Sequence, residues 1–337
     1  MVFFLLVVIC AQSLFGAGND NSFRIEAKKA FGVLPKQMES GQNTITPEKV
    51  FLGKILYYEM RVSVDGTVSC AKCHPFGLYA TDGLEKAIGN NGKVNPRNAP
   101  TLLNASSQVS AHWIGNRLNV EDQAKQALIG PPSYGMPSYE AAEKKLRSIP
   151  GYGPLFKRAF PGDGNPITAD NFAKAVGAFE RTLVTPSPFD DFLKGDTTAL
   201  SGLAKSGLKI FLEARCADCH SGACLGGQMY QKFGVAEPYQ AYTKSKTVDE
   251  GRFVVTKSDG DKYVFKVPVL RNVAMTSPYF HDGSVAKLRE AIVIMGKVQL
   301  SESFTDSQVE AVFAFLKSLT GKIPDDALIL PVLPPVE

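Results

Sequence analysis

The chain has 337 residues, enough for two domains of ordinary size. Its 37 Lys and Arg against 33 Asp and Glu leave a net charge of +4, too mild a surplus to argue for nucleic acid, and no nucleic-acid partner is expected. A charged fraction of 21% and a hydrophobic fraction of 44% describe an ordinary soluble globule.

The N-terminus runs Phe3-Phe-Leu-Leu-Val-Val-Ile-Cys10-Ala11, an apolar stretch too short to span a bilayer, and then turns small and polar at Gly16-Ala17-Gly18-Asn19. Residues 1–17 read as a cleaved export signal peptide, although the usual basic start is missing, and the mature chain is expected in the periplasm. A lipoprotein reading of Cys10 is weak, because Ile9 stands where a small residue is expected.

From Thr46 to His74 the chain makes a statement that it repeats from Ser201 to His220. Gly53-Lys-Ile-Leu-Tyr-Tyr58 leads into Cys70-Ala-Lys-Cys73-His74, and Gly207-Leu-Lys-Ile-Phe-Leu212 leads into Cys216-Ala-Asp-Cys219-His220. Two thiols spaced in this way on a turn entering a helix can each form a thioether to one haem vinyl group, and the next residue, His, then lies under the ring with Nε2 aimed at iron. Cys-x-x-Cys is also half of a zinc site or a redox dithiol. Zinc would need further Cys or His nearby, yet the rest, Cys10, Cys224, His112 and His281, are scattered, and a dithiol does not require the His that stands here twice. The reading is two covalently bound haem c groups, with iron bound by His74 and His220, in a duplicated unit.

The expected fold is mainly α: two cytochrome c-like helical domains, each around one c-type haem, with a small β-hairpin in the C-terminal half. The N-terminal domain spans 18–185, the C-terminal domain 196–325, and 326–337 form an extended tail that straps across the surface. Asp170 to Leu183 places Phe172, Val176, Phe179 and Leu183 on one helical face, and Thr305 to Leu319 does the same with Val309, Val312, Phe313, Leu316 and Leu319. Thr168 or Asp170 and Thr305 or Asp306 are the candidate caps. Phe253 and Val255, then Tyr263, Phe265 and Val267, alternate around Ser258-Asp-Gly-Asp261 and predict the hairpin. Asn95 to Pro100, Gly130 to Pro137 and Pro186 to Asp196 are rich in Pro, Gly and polar residues and predict loops, the last being the linker between halves.

These two units, together with Pro96-Arg-Asn-Ala-Pro-Thr101, Leu225-Gly-Gly-Gln228, Leu270-Arg-Asn-Val-Ala274, Pro278-Tyr-Phe-His281 and Ala291-Ile-Val-Ile-Met295-Gly296, resemble the bacterial di-haem cytochrome c peroxidase family, which includes the di-haem maturase of methylamine dehydrogenase. The resemblance implies that the C-terminal haem receives electrons and is held by His220 and Met295, a pairing that raises reduction potential. It implies peroxide chemistry at the N-terminal haem, with His74 as proximal ligand and the opposite face open. Here the chain departs from its relatives. Asn90 replaces the removable distal His of reductively activated members, and Gly135, in Tyr134-Gly-Met136, replaces their distal Glu. Asn90 cannot match an imidazole as a ligand, and Gly135 cannot move a proton. Tyr134 is the first candidate for the distal pocket, the alternative being an aromatic packed on the haem edge; Met136 or His112 could instead cap the iron.

The resemblance further implies an electron-relay role for Trp113, the chain's single tryptophan, between the haems. It implies one calcium ion between the domains, held by the side chain of Asn98 and main-chain oxygens of Thr276 and Pro278. His281 reads as a neighbour of a ligand or propionate rather than an iron ligand, and Cys224 as a buried free thiol. The leading expectation is an exported di-haem c-type oxidoreductase, reducing hydrogen peroxide to water with electrons from a small c-type cytochrome or cupredoxin, with a homodimer left open. The alternatives are a di-haem oxidase or maturase acting on a protein partner, and a non-enzymatic di-haem electron carrier.

Overall fold

The computed structural model describes residues 17–335, so the expected export signal, with Cys10, lies outside the described residues except for Ala17. The first half contains α1 (Ala17–Phe31), α2 (Pro47–Tyr57), the short α3 (Cys70–Cys73), α4 (Val120–Ala127), α5 (Tyr139–Arg147), α6 (Tyr152–Ala159) and α7 (Ala169–Glu180). Helix α2 starts where Thr46 Oγ1 accepts the Lys49 amide, with Pro47 in the first turn, where its missing N–H costs nothing. Helix α7 starts where Thr168 Oγ1 accepts the Asn171 amide at 3.1 Å, as its sequence predicts, and Phe172, Val176 and Phe179 are all buried.

The second half contains α8 (Pro188–Lys194), α9 (Gly202–Glu213), α10 (Phe253–Thr256), α11 (Leu288–Met295), α12 (Asp306–Ser318) and α13 (Asp325–Leu328), with strands β1 (Tyr230–Lys232) and β2 (Val264–Lys266). Thr305 and Gln308 form a reciprocal capping box at the start of α12.

Each half is built on one crossing of two helices, and both crossings depend on a glycine. A Cβ on Gly53 of α2 would stand 1.9 Å from the Ala175 carbonyl oxygen of α7; a Cβ on Gly207 of α9 would stand 1.8 Å from the Ala311 oxygen of α12. The two glycines occupy equivalent places in the repeated texts, so the internal duplication extends to the packing contact itself.

Three local expectations are corrected. The small antiparallel sheet of the C-terminal half is present, but β2 pairs with β1, Gln231 opposite Phe265, and not with Phe253–Val255, which form the helical turn α10. Around Ser258 to Asp261 the chain makes a helical turn instead of a tight hairpin, so its flanks cannot pair. Pro186 to Asp196 is not a loop: Ser187 and Asp190 form a capping box for α8, and Phe189, Phe192 and Leu193, spaced for one helical face, are fully buried. The tail begins with the helical turn α13 before becoming extended.

The chain ends cross between halves. Phe31 of α1 packs on Phe189 and Phe211 at 5.6 and 6.3 Å between ring centroids, and Phe23 on Phe192 at 6.4 Å, placing α1 on the core of the second half. In return Ile323 and Ala327 join Tyr57 and Phe179, Lys54 Nζ meets Asp326 Oδ1 at 2.9 Å, and Arg61 Nη1 donates to Pro334 O at 3.0 Å. A bidentate Arg97–Asp249 pair, both contacts 2.7 Å, adds a direct tie.

Candidate functional site

Cys70 and Cys73 sit at the two ends of α3, behind the extended Ser69, and the His74 amide donates back to Cys70 O at 3.0 Å. His74 Nδ1 lies 3.0 Å from Ala80 O, so that nitrogen carries the proton and Nε2 keeps its lone pair for a metal. The Tyr57 hydroxyl donates to His74 O, fixing the backbone from the other side. Burial pushes the Cys70 thiol up to about 12 and Cys73 up to about 11, and pushes the His74 imidazole down toward its neutral, ligating form.

The second motif repeats this arrangement on a different turn. Arg215, in a left-handed conformation at φ 63°, ends α9 and starts a helical turn over Cys216–Asp218; the His220 amide then donates to Cys216 O at 2.9 Å. His220 Nδ1 faces Leu225 O at 3.3 Å, and burial pushes its imidazole down to about 4. Cys216, Cys219 and His220 line a cavity of about 260 Å³ that is also lined by Met295 at the end of α11. Apolar side chains such as Phe211, Leu288, Ile292 and Leu316 form its walls. Two thiols, a neutral imidazole and a thioether around an apolar cleft suit a covalently attached haem better than a dithiol or zinc, and among the described residues no group of three His, Cys, Asp or Glu gathers as a metal cage.

The same cavity reaches the first half. Thr81, Pro100 and Thr101 line it, and the Pro100 carbonyl faces His74. Trp113 lines it too, its indole Nε1–H donating to Asn98 O at 3.0 Å and its ring 6.5 Å edge-on from His281. Asn98, Thr276 and Pro278 are brought to this cavity, from opposite halves. Asn98 Nδ2 donates to Leu84 O at 2.8 Å, leaving Oδ1 as the side chain's remaining acceptor, which fits an oxygen-seeking cation.

Asn90 and Gly135 meet. Asn90 is fully buried, and its Nδ2 donates to Pro131 O at 2.6 Å and Ser133 O at 2.7 Å, so it pins the loop that carries Gly135. Gly135 takes a φ of 68°, and a Cβ there would stand 2.5 Å from Asn90 Nδ2. Tyr134 is buried with its hydroxyl 3.6 Å from Cys70 Sγ and its ring edge-on to Phe172, which puts it beside the thioether position; burial holds its phenol well above 10. Met136 is buried in the same cluster. His112, at φ 66°, bonds Asn116 Oδ1 at 2.9 Å and lines the cavity between the halves.

His281 stacks on Phe265 at 4.2 Å, and its buried Nε2 has no hydrogen-bond partner among the described residues. Cys224 is buried and lies 3.1 Å from Ser107 Oγ. Two residues escaped the sequence reading. Lys266 is buried in the wall of the cavity between the halves; the alternation of Tyr263, Phe265 and Val267 assigns it to the outer face of a strand, but here that face meets the other half. Glu180, on α7, is buried with Oε2 unpartnered and is pushed up to about 8 by burial and then by Glu121. Its spacing, four residues after Val176 and three before Leu183, puts it at the edge of the apolar face of that helical text, the one signal of burial the sequence offers.

Residues 47–198 match the family model of di-haem cytochrome c peroxidase. Among characterised relatives, the cytochrome c551 peroxidase of Pseudomonas aeruginosa is 40% identical over 304 residues, covering 89% of this chain and 86% of that protein. The methylamine utilization protein MauG of Methylorubrum extorquens is 34% identical over 304 residues, covering 87% and 83%. The crystal structure of a MauG-like protein associated with microbial copper homeostasis superposes with a TM-score of 0.79 at 27% identity, over 89% of this chain and 97% of that one.

Proposed function

The chain belongs to the di-haem cytochrome c peroxidase family, and from that premise we propose that it works in the periplasm as a peroxidase, converting hydrogen peroxide, two electrons and two protons to two molecules of water. The observation that carries this reading is the continuous cavity that joins His220 and Met295, through Trp113, to the wall beside His74. The covalent haems, when bound, supply the iron centres that pass electrons and reduce peroxide. Cys216, Cys219, His220 and Met295 hold the electron-accepting group; Cys70, Cys73 and His74 hold the peroxide-reducing one. Ala80 O and Leu225 O orient the two imidazoles, each by accepting from Nδ1. Trp113 offers an oxidisable ring between them, held by Asn98 O, and a calcium ion at Asn98, Thr276 and Pro278 would fix that segment against the second half.

The side chain of Asn90 is committed to the carbonyls of Pro131 and Ser133, which supports a His74 site that needs no ligand release before peroxide binds. With glycine at 135 no carboxylate assists the O–O cleavage there, an assistance typically worth about 10²–10⁴-fold. That deficit supports a second reading, slow turnover of peroxide coupled to oxidation of a protein partner. The test is electron paramagnetic resonance of the fully oxidised holoprotein, followed by peroxide consumption with a reduced small cytochrome or cupredoxin. A high-spin ferric signal at rest and peroxide-dependent donor oxidation are expected. Two low-spin haems that ignore peroxide would overturn the peroxidase reading, and a high-spin haem that reacts with peroxide without oxidising the donor would favour the second.

A further inference from the structure

Lys266 stands at the end of β2 and is only 5% exposed. Its Nζ donates to two neutral acceptors from the first half, Gln108 Oε1 and Ser110 O, the latter at 2.8 Å. No carboxylate among the described residues pairs with it. Burial alone pushes its ammonium down to about 7, with no opposing anion to hold it up. A cation taken out of water in this way is costly unless an anion meets it.

The cavity that Lys266 lines has no Asp or Glu anywhere in its wall. Its other strong cation, Arg215, is exposed and already bonded to Asp218 Oδ2 at 2.9 Å. The site is therefore apolar over most of its surface, with thiols at Cys216 and Cys219 and one uncompensated positive charge at Lys266. A haem has the matching pattern: vinyl groups on one side of the ring and two propionate carboxylates on another.

We infer that Lys266 is the counter-cation of the haem held at Cys216, Cys219 and His220, pairing with a propionate and raising the reduction potential of the iron bound by His220 and Met295. The inference rests on the reading that this cavity holds the second covalent haem. A fixed positive charge beside the macrocycle favours the ferrous state, which carries one positive charge fewer than the ferric, and burial keeps the interaction from being screened. Because Gln108 and Ser110 belong to the first half, the pairing also fastens the haem edge to the segment that carries Trp113.

The test is a spectroelectrochemical titration of the full holoprotein, with haem counted per chain in the same samples. Lys266→Met is expected to lower the equilibrium constant for one-electron reduction of the high-potential haem on the order of tenfold, about 59 mV. Lys266→Arg, which keeps the charge, is expected to stay near the wild-type potential. Should Lys266→Met fail to accumulate, Lys266→Gln, which removes the charge but keeps a donor, decides the same point. A second haem present with its potential unchanged in the uncharged variant overturns the role of Lys266, as does an equal drop in Lys266→Arg. One haem per chain in the wild type overturns the underlying reading of the cavity instead.

Discussion

Asn90 Nδ2 occupies the space that a Cβ at Gly135 would need, the two points being 2.5 Å apart. The two positions that the family resemblance singles out as replacements of a distal His and Glu are thus one coupled feature. A side chain at 135 must displace the amide that pins residues 131–133, and it must accept a φ of 68°, which L residues rarely adopt.

Asn90→Ala is expected to destabilise the holoprotein by about 1–3 kcal/mol, because it removes the two hydrogen bonds by which the buried amide holds the loop carbonyls of Pro131 and Ser133. Gly135→Glu alone is expected to be costly and to leave peroxide turnover no faster, whereas Gly135→Glu combined with Asn90→Ala regains part of the stability. Thermal unfolding and peroxide kinetics on the three variants check this; an additive double variant would show that the two sites are not coupled.

Gly207→Ala should be far worse than a helical Gly→Ala exchange usually is. In an unstrained site that exchange stabilises by about 0.4–1 kcal/mol, but here the new methyl would stand 1.8 Å from Ala311 O, so a loss of about 3 kcal/mol or more is expected. Gly53→Ala should behave alike at Ala175 O, and denaturant midpoints for both variants decide it.

Glu180 makes stability depend on pH. Burial, and then Glu121, raise its carboxyl from 4.5 to about 8, so the folded chain keeps a proton that the unfolded chain has already released. The contribution is whole below about pH 4.5 and is lost as pH rises toward about 8. Glu180→Gln should therefore gain about 1–4 kcal/mol relative to wild type between pH 5 and pH 8. Urea melts at the two pH values measure it, and an identical gap at both would remove Glu180 as the source.

Met295→His is expected to keep the second haem low-spin while lowering its potential, since imidazole favours ferric iron relative to thioether. Optical titration reads the change; an unaltered potential would move the ligand away from the end of α11.

The attachment motifs, their histidines and the two amphipathic helices α7 and α12 were legible because each depends on residues close together in sequence. Tertiary packing decided what was not. Phe253–Val255 has strand-forming residues, but the Ser258–Asp261 turn sends the next strand to Tyr230–Lys232, a pairing no local pattern records. The proline and glycine around 186–196 suggest a loop, yet Phe189, Phe192 and Leu193 find a core to enter. Lys266 was hidden for the same reason: alternation tells which residues share a face, not what the other half of the molecule lays against it.

The crossed ends also constrain how the molecule can be assembled or divided. Phe31 is synthesised long before Phe189 and Phe211, so the first helix has no seat until most of the chain exists, and the first half cannot be completed until Ile323 and Ala327 arrive. A fragment cut between the repeats would carry one intact attachment motif and a torn core: the front piece would keep α1 without its aromatic bed, and the rear piece would expose the rings that α1 covers. Single-haem versions of this protein are therefore better made by replacing a cysteine pair in the whole chain than by truncation.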